Sequence, residues 1–86
     1  MINVVEIFTK GCPTCDYIYH VQKRINAYDN IKHIELGTKE CTTFLEENNI
    51  EIKQTPTFYV FINNKLYKKY ENIERKDVEE IKRLFL

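Results

Sequence analysis

The first part of the chain alternates between a short apolar run and apolar residues at helical spacing. Apart from Glu6, residues 4–8 are apolar and rich in β-branched side chains, which predicts a strand that ends at the loop around Gly11. From Pro13 onward, apolar residues recur at steps of three or four, the spacing of an amphipathic helix. We therefore expect strand one at 4–8 and helix one from Pro13 to about Tyr28.

The same alternation repeats in the middle of the chain. Residues 31–36 predict a second strand. Thr38 is of the type preferred at a helix N-cap, and the apolar residues beyond it share one helical face. Helix two is therefore expected to begin after Thr38 and to end near residues 48–49.

The last third predicts a hairpin followed by a helix. Residues 57–62 are almost continuously apolar, as in a strand covered on both faces, and Asn63-Asn64 can adopt the positive φ angles of a tight turn. Residues 65–70 then supply an antiparallel partner strand, and an apolar stripe predicts a helix from about Glu74 to the C-terminus. The predicted order is β-α-β-α-β-β-α.

This order predicts an α/β fold in which three helices flank one four-stranded mixed sheet. Parallel strands joined by helices need right-handed crossovers, so the first three strands are expected to run parallel and the hairpin to add an antiparallel edge. Ligand-binding and catalytic groups belong at the carboxyl ends of such strands. The loop after strand one lies at that end.

Length and charge narrow the classes of protein to consider. Eighty-six residues suffice for one domain, expected to span 1–86, and 43% hydrophobic content is ordinary for a packed core. Thirteen basic and thirteen acidic residues cancel, which argues against nucleic acid or an anionic membrane as partner. No run reaches the roughly 20 apolar residues of a membrane span, and the first residues lack a signal-peptide pattern. A cytoplasmic monomer is expected.

The candidate chemistry lies at Cys12 and Cys15, a Cys-x-x-Cys between strand one and helix one. A thiolate is the nucleophile of disulfide exchange, and a helix N-terminus stabilises one at Cys12, whereas Cys15 lies one turn in and is shielded. Half a zinc site is the alternative. A structural zinc site takes four ligands, and Cys41, His20 and His33 do not supply the others at ligand spacing. No metal is therefore expected.

The sequence resembles the thioredoxin-like family in two motifs. Cys12-Pro13-Thr14-Cys15 is similar to the family's active-site motif, and Gln54-Thr55-Pro56-Thr57-Phe58 is similar to its cis-proline motif at the start of a buried strand. The resemblance covers nearly the whole chain. It implies the thioredoxin fold, without the extra strand and helix that full-length thioredoxins carry at the front.

The resemblance also implies a substrate-binding role for residues near Cys12. A cis bond before Pro56 would make a sharp turn, from which Thr55 would offer its backbone N–H and C=O to an extended substrate segment. A trans Pro56 that merely begins a strand is the alternative. The loop residues around the thiol are expected to border the same substrate: Gly11, Pro13 and Thr14.

Glu6 stands inside the otherwise apolar first strand, six residues before Cys12. Thioredoxins have a buried acid at the matching place, where it accepts a proton from the resolving thiol through water. Burial raises the pKa of such an acid toward the working pH, as a general base requires. The resemblance thus implies that Glu6 is a proton acceptor, whereas from the strand itself an exposed glutamate on a half-solvated face is expected.

Some residues depart from thioredoxins toward the related glutaredoxins. Gly11 stands where thioredoxins usually have Trp, and Pro13-Thr14 is closer to the Cys-Pro-Tyr-Cys of glutaredoxins. Lys10 is similar to the glutaredoxin lysine that pairs with a carboxylate of glutathione. However, residues 70–74 replace the glycine turn with which glutaredoxins hold the other end of glutathione.

The remaining candidates are expected to be structural. Cys41 falls on the inward stripe of helix two, which predicts a small buried residue without a redox role. His20 and His33 are expected at the surface. Tyr17 and Tyr19 could border the active site from helix one, although aromatic residues at helical spacing more often pack.

Together these features predict a dithiol-disulfide oxidoreductase of the thioredoxin type. Cys12 attacks a substrate disulfide, and Cys15 resolves the mixed disulfide and leaves a redox-active Cys12–Cys15 disulfide. No bound cofactor is expected. The expected partners are disulfide-containing proteins and, as electron donor, a thioredoxin-type reductase or glutathione. The alternatives are a glutathione-dependent glutaredoxin and a non-catalytic, metal-binding or structural module of the same fold.

Overall fold

The computed structural model describes residues 1–85, and its helices and strands follow the predicted order. The four strands are β1 (Ile2–Phe8), β2 (Ile31–Glu35), β3 (Thr57–Ile62) and β4 (Lys65–Tyr70). The three α-helices are α1 (Pro13–Arg24), α2 (Lys39–Glu47) and α3 (Arg75–Arg83), and a 3-10 turn covers Tyr28–Asn30. The last helix thus ends before the predicted C-terminal limit, and residue 86 lies outside the described residues.

The sheet has the strand order β2-β1-β3-β4, and the predicted four-stranded mixed sheet is confirmed. β1 and β2 are parallel, but β3 runs antiparallel to both β1 and β4. The expectation of three parallel strands is therefore wrong. Residues 48–56 carry the chain back along the sheet after α2, so that Thr57 at the start of β3 pairs with Ile7 near the end of β1.

The core has two layers because side chains of successive strand residues point to opposite faces of the sheet. On one face, Val4 and Phe58 belong to a cluster that includes Ile18 of α1 and Val78 of α3. On the other face, the cluster contains Val5, Ile7, Ile34, Cys41, Tyr59 and Phe61, with Phe44 and Leu45 of α2 packed against it. A central strand covered in this way has no polar face, which explains the continuous apolar run of β3.

Helix α1 ends at Arg24, so the predicted end at Tyr28 is wrong. Asn26 takes a φ of 60°, which a helix cannot continue through, and the N–H of Ala27 bonds to the carbonyl oxygen of Gln22 at 2.8 Å. Ile25 still packs against the core beyond the helix end. The apolar periodicity therefore runs on past the break and conceals it.

The predicted cap and hairpin turn are confirmed. Thr38 accepts a hydrogen bond from the N–H of Cys41 at 3.2 Å and begins α2. Asn63 and Asn64 adopt φ angles of 51° and 68° between β3 and β4. Within residues 1–85, no helix is both long enough and apolar enough to cross a membrane.

Tyr70 ties β4 to α3, and its removal should destabilise the fold. Its hydroxyl donates to Glu80 Oε1 at 2.5 Å, and Lys68 Nζ donates to the same oxygen at 2.8 Å. Both hydrogen bonds lower the pKa of Glu80, and the one from Lys68 has the larger effect. Tyr70→Phe should reduce the free energy of unfolding by about 1 kcal/mol, the net value of one hydrogen bond.

The loss in Tyr70→Phe should depend on pH. Because the pKa of Glu80 is lowered in the folded state, the contribution of its carboxylate is fully present above the ordinary glutamate pKa of about 4.3 and is lost as the pH falls through the folded value. Urea unfolding of both proteins at neutral and acid pH measures this. A difference that stays constant between the two pH values would contradict the assignment to Glu80.

Candidate active site

The two cysteines of the motif lie where β1 passes into α1. Cys12 is the N-cap of α1, and its Sγ accepts a hydrogen bond from the N–H of Cys15 at 3.1 Å. Gly11 takes a φ of 75°, a conformation that favours glycine, and Pro13 occupies the first helical position. Cys12 is half-buried, whereas Cys15 is only 5% exposed. As expected, the first thiol is the accessible one.

The segment before β3 faces these thiols from the neighbouring strand. The peptide bond between Thr55 and Pro56 is cis. The Sγ of Cys12 lies 3.8 Å from the carbonyl oxygen of Thr55, within the range of a weak sulfur hydrogen bond. This proximity follows from the antiparallel course of β3, whose start lies beside the end of β1.

Thr9 connects the two halves of the site, and sequence reasoning missed it. Its hydroxyl lies 2.8 Å from the hydroxyl of Thr55 and 3.9 Å from the Sγ of Cys15. It thereby links the loop of the cysteines to the loop of the cis proline. A hydroxyl residue directly after β1 and ahead of Cys12 was the only signal in the sequence.

The two thiols differ in acidity. Burial by itself would raise the pKa of Cys12, but hydrogen bonds from the thiol and the backbone N–H of Cys15, with further ones from Thr55 and Thr9, bring the pKa below its usual value. Burial, followed by the hydrogen bond to Cys12, raises the pKa of Cys15. The thiolate therefore forms at Cys12 in preference to Cys15.

Glu6 is buried, with 3% of its surface exposed, so the expectation of an exposed glutamate is wrong. Its Oε1 accepts a hydrogen bond from Gln22 Nε2 at 3.3 Å and lies 2.6 Å from Nδ1 of His33. The parallel register of β1 and β2 sets Glu6 opposite His33. Gln22 reaches the same place from the inward face of α1, where it is fully buried.

His33 is half-buried, and the expectation that it lies at the surface is wrong. Its ring stacks on that of Tyr28 with the centroids 3.9 Å apart, and its Nε2 lies 3.0 Å from the carbonyl oxygen of Tyr28. His20 is exposed, as expected. A single histidine belongs to no spacing motif. However, side chains alternate along β2, which places His33 on the same face of the sheet as the buried Ile31.

A cavity of about 120 Å³ joins the Glu6–His33 pair to the shielded thiol. Glu6, His33 and Cys15 all contribute to its wall, together with the aromatic rings of Tyr19 and Tyr28. A space of this size with several polar groups can hold water. Water in this cavity would contact both Cys15 and Glu6.

The remaining candidates lie at the edge of the site. Lys10 lines the cavity, but its side chain is 81% exposed and its Nζ lies 3.9 Å from Glu35, a surface ion pair of small energetic value. Tyr17 and Tyr19 are 55% and 42% exposed, and only Tyr19 borders the cavity. Among residues 1–85, no group of three or more His, Cys, Asp or Glu side chains could hold a metal ion.

A limiting amount of an alkylating agent should label Cys12 well before Cys15 or Cys41. Cys12 is accessible and has a lowered pKa, whereas Cys41 is 1% exposed beneath α2. Labelling of Cys12 should also persist to lower pH than labelling of a free cysteine derivative, since more of its thiolate remains. Mass spectrometry of the peptides gives the order, and first labelling at Cys41 would refute it.

Comparison with solved structures identifies the fold. The chain is similar to oxidised thioredoxin from Plasmodium falciparum, with a TM-score of 0.68 and 19% identity over 98% of this chain and 80% of that one. It is similar to thioredoxin f from spinach chloroplast, with a TM-score of 0.68 and 19% identity over 96% and 74% of the two chains.

A chain in the complex of ferredoxin:thioredoxin reductase with thioredoxin f2 aligns with a TM-score of 0.70 and 17% identity, over 98% of this chain and 76% of that one. No protein-family model matches the sequence, and no curated protein matches it. Similarity at this level of identity concerns the backbone. The chain has the thioredoxin fold, as the sequence resemblance implied.

Proposed function

We propose that this protein is a thiol-disulfide oxidoreductase of the thioredoxin type that reduces disulfides in proteins. The observation that carries the proposal is the asymmetry of its two thiols. Cys12 is accessible at the N-cap of α1 and has a lowered pKa, while Cys15 is shielded and has a raised pKa. A nucleophile and a resolving thiol require this difference.

The reaction follows from this asymmetry. The thiolate of Cys12 attacks one sulfur of a substrate disulfide and releases the other substrate sulfur as a thiolate. Cys15 then loses its proton and attacks the Sγ of Cys12, which breaks the mixed disulfide and releases the second substrate thiolate. The substrate gains two electrons, and the protein is left with a Cys12–Cys15 disulfide.

Glu6 is the proposed acceptor of the Cys15 proton. The pKa of Cys15 is raised, so at neutral pH this thiol needs a base before it can attack. Glu6 is buried, and the cavity connects it to Cys15. The carboxylate can therefore take the proton through water while bulk solvent is kept from the sulfur.

The proposed substrate is an extended polypeptide segment. The carbonyl oxygen of Thr55 lies 3.8 Å from the attacking sulfur, so a strand paired with the backbone of Thr55 would bring its own disulfide to Cys12. Residues 11–14 form the adjoining surface, whereas Pro56 itself is buried. Backbone pairing selects for polypeptide and tolerates many side chains.

The electron donor is proposed to be a separate reductase. A structural neighbour was solved in a complex of ferredoxin:thioredoxin reductase and thioredoxin f2, which supports a reductase partner by analogy. A reducing compartment such as the cytoplasm would keep Cys12 and Cys15 as a dithiol between turnovers. Glutathione is the alternative donor.

Glutathione should be a poor substrate because the loop after β4 is obstructed. Asn72 has a φ of 53°, the conformation that glycine would adopt there, but it carries a side chain that accepts a hydrogen bond from Gln54 Nε2 at 3.0 Å. Asn72 therefore ties this loop to the residues before Pro56. Lys10 is available to bind one carboxylate of glutathione, but the loop at Asn72 has no glycine turn to hold the other end of the glutathione molecule.

Comparison of two substrates tests this assignment. The turnover of insulin should exceed that of a glutathionylated peptide by at least about tenfold, a difference of 1.4 kcal/mol in transition-state free energy. Each substrate is assayed with its own recycling system. A tenfold preference in the opposite direction would establish the glutaredoxin alternative.

A further inference from the structure

We propose that His33 is a positioning residue that orients Glu6 to receive the proton of Cys15. The inference deepens the proposed function and rests on it. It starts from the polar contacts of one ring: Nδ1 of His33 lies 2.6 Å from Glu6 Oε1, and Nε2 lies 3.0 Å from the carbonyl oxygen of Tyr28.

These two contacts determine how many protons the pair holds. A backbone carbonyl oxygen can only accept, so Nε2 of His33 must carry a hydrogen and donate it to Tyr28. The distance between Nδ1 and Oε1 is that of a short hydrogen bond, which requires one further hydrogen between these atoms. Glu6 and His33 therefore share a single proton, and a second proton reaching the pair has to go to Glu6.

The surroundings keep His33 in this orientation. Its ring stacks on Tyr28 at an interplanar angle of 13°, and Nζ of Lys23 lies 4.0 Å from the centroid of the Tyr28 ring. The Tyr28 ring thus packs against the histidine ring, and the ammonium group of Lys23 makes a cation–π contact with the Tyr28 ring. Turning the histidine ring over would place the two nitrogens away from both acceptors.

Other titratable groups surround the pair, and they define what else could affect its protonation. Helix α1 contributes Cys15, Asp16 and Tyr19 to the cavity, and the loop after β1 contributes Lys10. On β2, Glu35 follows on the same face and is engaged by Lys10 at 3.9 Å. Of these described groups, Cys15 is the buried one, so it is the proton donor that the cavity serves.

The proton transfer balances with the disulfide chemistry. During resolution, the proton of the Cys15 thiol passes through cavity water to the Glu6 carboxylate, while His33 keeps the shared proton and donates it to Oε1. The new thiolate forms the bond to Cys12, and the released substrate thiolate takes up a proton from solvent. Without His33, Gln22 Nε2 would be the one remaining hydrogen-bond donor to the buried Glu6 among residues 1–85, and a buried carboxylate with fewer donors is disfavoured.

The kinetic test separates the steps of the two cysteines. The reduced protein is mixed with a chromogenic aromatic disulfide, so that attack by Cys12 releases the first coloured thiolate and attack by Cys15 releases the second. His33→Gln should leave the first phase unchanged and slow the second about tenfold, less than the roughly 10²-fold cost of losing a general base outright. It should also move the pH profile of the second phase to higher pH.

Matched variants distinguish positioning from a structural role. His20→Gln changes an exposed histidine and should leave both phases and their pH profile as in the unaltered protein. His33→Lys restores a cationic donor beside Glu6 and should recover most of the second phase. An unchanged second phase in His33→Gln, or no recovery in His33→Lys, would overturn the inference.

A second measurement does not depend on turnover. In ¹⁵N NMR spectra near neutral pH, Nε2 of His33 should carry a hydrogen, and Glu6→Gln should shift the Nδ1 signal while leaving the His20 signals in place. A His33 ring with hydrogen on Nδ1 alone would overturn the inference. Failure of the proposed function would look different, because the unaltered protein would then show no second release of coloured thiolate.

Discussion

Cys12→Ser should abolish the reduction of protein disulfides. The half-buried Cys12 is the accessible thiol of the pair, and the hydrogen bonds that lower its pKa converge on its sulfur. A serine hydroxyl at the same N-cap stays protonated at neutral pH and does not attack disulfides. The expected insulin reduction, followed by precipitation of the freed insulin chain, is therefore no faster than the background.

The matched control for this variant is Cys41→Ser, which changes the third cysteine. Cys41 is buried on the other face of the sheet, so the substitution should affect stability and leave the rate of reduction unchanged once the protein is folded. Circular dichroism verifies folding in both variants. Residual turnover in Cys12→Ser, or a loss in Cys41→Ser beyond its folded fraction, would show that the nucleophile lies elsewhere.

Cys15→Ser should stop the reaction at the mixed disulfide. Cys12 keeps its accessible position in this variant and still attacks, but the remaining cysteine, Cys41, is buried on the other face of the sheet and cannot resolve the bond. The protein should therefore accumulate in covalent complexes with its substrate, with a single turnover followed by a stall. A non-reducing gel shows these complexes, and a reductant releases them.

The covalent complex distinguishes the nucleophile from the resolving thiol. Cys12→Ser should form no covalent complex with the same substrate, and the double variant Cys12→Ser/Cys15→Ser should behave like Cys12→Ser. If Cys15→Ser turns over at the rate of the unaltered protein, Cys15 is not the resolving thiol. If both single variants form complexes equally, the proposed order of attack is wrong.

Local structure could be predicted from the sequence wherever neighbouring residues decide it. The Thr38 cap, the Asn63-Asn64 turn and the continuously apolar β3 follow from backbone preferences and burial on both faces. The direction of β3 could not be predicted in this way. It depends on the path of residues 48–56, which form neither a helix nor a strand, and the assumption of repeated parallel crossovers failed there.

The candidate site was predictable where a motif marks it and not where contacts across strands build it. The motif marks Cys12 and Cys15, and the resemblance pointed to Thr55, which lies against the Cys12 thiol. The neighbours of Glu6 escaped prediction because Gln22 and His33 come from other elements of the fold. Which residues contact Glu6 depends on the register between β1 and β2 and on which face of α1 packs against the sheet. The periodicity of a single sequence establishes neither.

The most direct measurement of the central claim is the pairing of cysteines after one turnover. The fully reduced protein is mixed with a protein disulfide in limiting amount, alkylated at once under denaturing conditions and mapped by mass spectrometry without reduction. We predict a disulfide between Cys12 and Cys15, with Cys41 alkylated, in proportion to the substrate reduced. Reduced substrate without a Cys12–Cys15 disulfide, or a disulfide that contains Cys41, would contradict it.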